Sequence, residues 1–142
     1  MKVFLDTNVL LDILIPGRPQ GPASGTVFSQ IRKGRLEAEL STQSIIDASY
    51  VCSRCEGFEP EQFRKSMLGL LGSINISGID YFELREALLS GRKDLEDAAQ
   101  AAHAWRANCD IVISGDKSFH MPGGETDIPV MTPTEFVEKM KE

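Results

Sequence analysis

Met1-Lys2-Val3-Phe4-Leu5-Asp6-Thr7-Asn8-Val9-Leu10-Leu11-Asp12-Ile13-Leu14 opens the chain and changes character in its middle. Val3, Phe4 and Leu5 form a short apolar run of the kind a buried strand shows. From Asp6-Thr7-Asn8 onward the apolar residues recur at Val9, Leu10, Ile13 and Leu14, which is helical spacing. A carboxylate at the joint between a buried strand and a helix lies where open α/β sheets hold ligands, beyond the carboxyl end of the strand.

A second joint of this kind lies far downstream, where Asp110-Ile111-Val112-Ile113-Ser114 runs into Gly115-Asp116. If the two strands are neighbours in a parallel sheet, a strand spacing of ~4.8 Å brings Asp6 and Asp116 into one crevice. Asp94 and Asp97, three apart, share a helix face at the start of the alanine-rich helix that leads into this strand. Carboxylates gathered this way repel one another unless a cation sits between them. Oxygen donors suit a hard ion, Mg²⁺ or Mn²⁺. Such an ion activates water and offsets the charge of a phosphoryl transition state. Acids without His or Cys ligands favour phosphodiester hydrolysis over zinc chemistry.

Between the two joints, helices alternate with short apolar runs. Three prolines and two glycines make 16–22 a loop, and helical periodicity resumes through Ala23, Val27, Phe28 and Ile31 to Gly34. Residues 36–40 read as a strand, and Ser41 or Thr42 caps a helix that carries Asp47 and Cys52. Pro60 starts the next helix. Residues 74–79 read as a strand, Asp80 with Glu83 as a capping box, and Gly91 as a stop. Residues 122–127 read as a loop and 128–131 as a last strand. Thr132-Pro133-Thr134-Glu135 begins a final helix. The alternation predicts a three-layer α/β/α sandwich around a short, mostly parallel sheet, with 1–142 as a single domain.

The bulk numbers agree with a globular chain: 142 residues, 42% hydrophobic and 25% charged. No apolar stretch reaches the ~18 residues of a membrane span, and Asp6 interrupts any signal-peptide pattern, so a cytoplasmic protein with no membrane partner is expected. The net charge of −6 argues against a generic polyanion binder, though not against a nuclease whose acids hold cations. Three cysteines do not suggest a disulfide framework. Cys52-x-x-Cys55 lacks a second pair for zinc and falls late in its helix, so it reads as structural. Cys109 reads as buried, Trp105 as core or a subunit contact, and His103 and His120 as residues without a matched partner.

The segments 5–12, 94–102 and 111–119, in this order and separation, resemble the PIN domain family, which includes the toxin ribonucleases of VapC type. The resemblance spans essentially the whole chain. It implies metal ligation by Asp6, Asp97 and Asp116, with Asp94 as an auxiliary acid and Asn8 and Ser114 orienting ligands or water. Asp47 stands where the family usually has a glutamate, one methylene longer, and completes the implied catalytic set. Ser114 stands where threonine is more common. The resemblance further implies an RNA substrate, an antitoxin partner and a homodimer.

Each acid also has a structural reading. Asp6 could merely precede a helix capped by Thr7 or Asn8, Asp94 could be an N-cap and Asp97 an N3 acid favoured by the helix dipole. Asp116 could be ordinary turn chemistry. Asp12 reads as solvated, or as supporting a neighbour of the site. A haloacid-dehalogenase-like phosphatase also begins strand-Asp but needs a second Asp where Asn8 stands. A PIN-fold interaction module that has lost catalysis is the alternative that the Asp47 departure keeps open.

Overall fold

The computed structural model describes residues 1–119, 121 and 128–142. In chain order the elements are β1 (Lys2–Leu5), α1 (Thr7–Leu14), α2 (Gly21–Arg32), β2 (Glu37–Ser41), α3 (Thr42–Ser53), α4 (Pro60–Leu70), β3 (Asn75–Ser77), α5 (Tyr81–Leu89), α6 (Leu95–Arg106), β4 (Ile111–Ile113), β5 (Val130–Met131) and α7 (Pro133–Met140). Five helices begin on a side chain that accepts from the first-turn backbone: Asp6, Ser41, Asp80, Asp94 and Thr132. Asp80 and Thr132 close full capping boxes with Glu83 and Glu135.

Three expectations about the elements shift. Asp6 caps α1 itself, rather than Thr7 or Asn8. The loop expected at 16–22 ends earlier, because Pro22 stands in the first turn of α2, where its missing N–H costs nothing. The last three strands are shorter than the runs that predicted them, with β3 and β4 three residues each and β5 two. The loop at 122–127 and His120 lie outside the described residues.

The sheet is parallel throughout, in the order β3-β2-β1-β4-β5. Strand order reverses between β1 and β4, and the gap outside the carboxyl ends of that pair is where such sheets take ligands. Alternation along the strands divides the core. Val3, Leu5, Ala38, Leu40, Ile111 and Ile113 face a large apolar cluster with Val9 and Leu10 of α1, Val27 and Phe28 of α2, Ala48 of α3, Met67 of α4 and Phe136 of α7. On the opposite face Phe4 and Val112 meet Ala101 and Ala104 of α6.

That second face is partly polar. Glu39 of β2 is 5% exposed; it pairs with Lys2 at 3.3 Å and accepts from Ser77 Oγ at 2.8 Å. Ser77 stands 2.9 Å from His103 Nε2, and His103 Nδ1 lies 2.6 Å from Glu83. His103 therefore has partners on both ring nitrogens, contrary to the expectation that it lacked one. Trp105 is 47% exposed, which removes the core reading and leaves the surface one. Cys52 and Cys109 are buried and Cys55 is exposed.

Asp12 is buried, not solvated. It accepts from Arg18 Nε at 2.8 Å and from Ser24 Oγ at 2.6 Å, which ties the 15–20 connection and α2 back onto α1. Removing this carboxylate strands the fully buried Ser24 hydroxyl, at a cost of about 1–3 kcal/mol. Arg18 is one-third exposed and can return to water. Urea unfolding should therefore show Asp12→Ala losing about 2 kcal/mol and Arg18→Ala clearly less.

Candidate active site

The pairing of β1 with β4 continues one residue past β1, where the Asp6 N–H donates to the Ile113 carbonyl at 3.0 Å. The two strand ends thus stay in register up to the point where both chains turn. Asp6 is 4% exposed, and its carboxylate is satisfied by local donors. Oδ1 accepts from the Thr7 N–H at 2.8 Å; Oδ2 accepts from Ser114 Oγ at 2.7 Å and Asn8 Nδ2 at 3.0 Å. Asn8 Oδ1 in turn accepts from the Gly115 N–H at 2.8 Å, and the Asp116 N–H donates to Ser114 Oγ at 3.1 Å. Asn8 and Ser114 therefore stitch the two turns together and fix the Asp6 carboxylate between them. The Asp116 carboxylate accepts from the Ser118 N–H at 2.9 Å and Ser118 Oγ at 2.7 Å.

The start of α6 faces the same crevice. Asp94 caps the helix by accepting from the Asp97 N–H at 3.1 Å, as its structural reading held. Asp97 is half-buried, and its acidity responds to its neighbours. Burial, then the charges of Asp94, Asp6 and Asp116, push its pKa up to about 6 despite opposition from Arg92. Burial also raises Asp6, with Asp116 adding to the effect and the donors Ser114, Thr7 and Asn8 opposing it. Asp6, the Asp94–Asp97 pair and Asp116, from three separate stretches of sequence, thus share one electrostatic neighbourhood.

Asp47 reaches this neighbourhood through a residue that sequence reading missed. Its Oδ1 accepts from Gln43 Nε2 at 2.8 Å, and its charge acts on Glu96. Partial loss of solvent, then the charges of Asp47, Asp6 and Asp94, push Glu96 up to about 7. Pairing acids on α6 by three-residue spacing selects 94 with 97 and passes over 96. Only the approach of α3 to α6 brings Glu96 in. Among the described residues, no three His, Cys, Asp or Glu side chains stand close enough to enclose an ion in their present orientations. The Asp6 carboxylate faces Asn8 and Ser114, and the Asp116 carboxylate faces Ser118.

With this geometry in place, a sequence-family model described as PIN domain matches residues 2–118. The chain belongs to the PIN domain family. It is 29% identical over 140 residues to Ribonuclease VapC1 of Aquifex aeolicus, covering 97% of this chain and 94% of that protein. Its fold is also similar to that of VapC20 from Mycobacterium tuberculosis, a Sarcin-Ricin loop cleaving toxin (TM-score 0.67, 11% identity, 82% of this chain and 92% of that one). A toxin–antitoxin complex from Klebsiella pneumoniae has a matching chain as well (TM-score 0.64, 17% identity, 92% and 97% covered). The five-stranded parallel sheet flanked by helices is the PIN-like α/β fold expected from the sequence.

The raised acids of this PIN domain make its stability depend on pH. Glu96 and Asp97 move from ordinary values of 4.5 and 3.8 to about 7 and about 6 on folding. Between those limits the folded chain holds more protons than the unfolded chain, so stability falls as pH rises. Metal-free protein should melt at a higher temperature at about pH 5 than at about pH 7.5. Glu96→Gln should shrink that difference, and thermal melts of both proteins at the two pH values check it.

Proposed function

We propose that this PIN domain is a divalent-metal-dependent endoribonuclease, with 1–142 acting as one domain and Asp6, Asp97 and Asp116 as ligands for Mg²⁺ or Mn²⁺. The observation that carries this reading is the adjacency of β1 and β4, which sets Asp6 and Asp116 at neighbouring strand ends beside the acidic start of α6. The donor set fits a hard cation: it is all carboxylate oxygen, and after burial the charge of Asp116 raises the pKa of Asp6 and, with that of Asp6, the pKa of Asp97, a repulsion that a bound cation relieves. Asp97 and Glu96 are open enough to reorient. The relative from Aquifex aeolicus, named a ribonuclease, supports RNA as the substrate class.

When bound, a divalent cation supplies charge neutralisation at the phosphodiester and a more acidic water. The chain's own residues do the rest. Ser114 and Asn8 hold the Asp6 carboxylate in one orientation, and Ser118 holds that of Asp116. Asp94 anchors the first turn of α6, which fixes where Asp97 emerges. Glu96, kept protonatable near neutrality by burial and then by the charge of Asp47, is placed to hand a proton to a departing oxygen or take one from an attacking water. The Asp47–Glu96 pair supplies the reach that aspartate alone lacks, which counters the reading of a module that has lost catalysis.

The toxin half of a toxin–antitoxin pair, working in the cytoplasm, is the biological setting that the Klebsiella pneumoniae complex supports. Among the described residues no helix is long and apolar enough to cross a membrane. A homodimer is part of the same reading. Tyr81, Leu84 and Leu88 form a stripe along α5 that is 69%, 42% and 62% exposed, an apolar face suited to a second copy.

Mn²⁺-dependent cleavage of structured RNA tests the chemistry. Wild-type protein should cut, and Asp6→Asn or Asp97→Asn should lose at least about a hundredfold in rate, because each removes a charge acting at the phosphoryl transition state. Equal cutting by wild type and Asp6→Asn rejects the enzyme reading. Sedimentation tests the assembly: wild type should run as a dimer, and Leu84→Lys combined with Leu88→Lys as a monomer with an unchanged melting temperature.

A further inference from the structure

Beneath the carboxylates, the three helices that carry them meet in a buried knot of neutral polar groups. Thr7 opens α1 beside Asp6, Ser44 lies one turn before Asp47 on α3, and Gln100 lies one turn after Glu96 and Asp97 on α6. Ser44 and Gln100 are fully buried and Thr7 is nearly so. Ser44 Oγ receives Gln100 Nε2 at 2.9 Å and Ser41 Oγ at 3.2 Å, and it stands 2.8 Å from Thr7 Oγ1. Gln100 Nε2 also reaches Thr7 Oγ1 at 3.4 Å.

Counting donors settles the direction of these bonds. A hydroxyl offers one proton and two acceptor positions. Gln100 and Ser41 occupy both acceptor positions of Ser44, so the Ser44 proton goes to Thr7. Helix α3 is therefore bonded to α1 and to α6 through short, directional contacts, with a longer reach from α6 to α1. Apolar contacts at the same place would let the helices slide past one another.

The knot is not the arrangement that stability alone selects. Gln100 Oε1 is buried with no hydrogen-bond partner among the described residues, and an apolar side chain of similar volume would leave no acceptor stranded there. A local rule broken at this depth, directly under the acids, points to a positional purpose. We propose that Thr7, Ser44 and Gln100 are positioning residues that set the mutual spacing of Asp6, Asp47, Glu96 and Asp97, and thereby the affinity of the site for a divalent cation. This inference rests on the metal-dependent reading above.

Titration calorimetry with Mn²⁺ on the full chain tests it. Thr7→Val keeps the shape and deletes the hydroxyl, Thr7→Ser keeps the hydroxyl, and Gln100→Leu deletes the amide. Val27→Ala, in the α2 part of the main core, serves as a control for general loss of stability. Thr7→Val and Gln100→Leu should bind Mn²⁺ roughly tenfold more weakly, the scale seen when groups supporting metal ligands are removed. Thr7→Ser should bind like the wild type, and Val27→Ala should lower the melting temperature with affinity unchanged. Should Gln100→Leu fail to fold, the Thr7→Val and Thr7→Ser pair carries the test. Wild-type affinity in Thr7→Val, or equal weakening in Val27→Ala, overturns the inference while leaving the metal reading intact. Wild-type protein that binds no Mn²⁺ overturns both.

Discussion

Parallel pairing of β1 with β4 obliges two chain turns, more than a hundred residues apart in sequence, to close side by side at the strand-order reversal. Both turns need their exposed backbone donors satisfied, and both do so with polar side chains. Asp6 caps α1, Ser114 receives the Asp116 N–H, and Asn8 receives the Gly115 N–H. The same groups that finish the strands therefore hold the central carboxylate. Structure and candidate chemistry are not separable here, since the Asp6 side chain is both a helix cap and the most buried acid of the crevice.

The rest of the fold serves this joint from two sides. The large apolar cluster fixes α1, α2, α3 and α7 on one face of the sheet. On the other face α6 presents its acidic first turn to the crevice while its alanines pack on Phe4 and Val112. Small side chains there let the helix lie close to the sheet, so that Asp97 falls within the electrostatic reach of Asp6 and Asp116. Burial first, and the resulting repulsion second, raise the proton affinity of Asp97 in the folded state.

Much of this was legible in the sequence because strand-end acids and three-residue helical spacing are local signals. Val3-Phe4-Leu5 and Ile111-Val112-Ile113 announced two buried strands, and their closing acids announced a crevice. The capping boxes at Asp80 and Thr132 were equally local. Glu96 was not legible, because its importance comes from Asp47 on another helix. Asp12 read as solvated or as supporting a neighbour, because nothing local shows that Arg18 on the loop and Ser24 on α2 return to it. His103 lacked a visible partner because Glu83 lies on a separate helix and Ser77 on β3. Tertiary approach, not local pattern, decides all three.

The Lys2–Glu39–Ser77–His103–Glu83 chain has a mechanical corollary. The α5–α6 layer rests on the sheet through alanines and His103 packed on Phe4 and Val112, and through a line of polar links. The polar links along this seam specify orientation sharply while each contributes little cohesion, since it replaces a bond to water. The layer is thus a leaf whose aim is set by directional bonds and whose hold comes from its buried apolar contacts. Because Asp94, Glu96 and Asp97 ride on that leaf, a ligand gripping them together with Asp6 would act as a clasp across the seam.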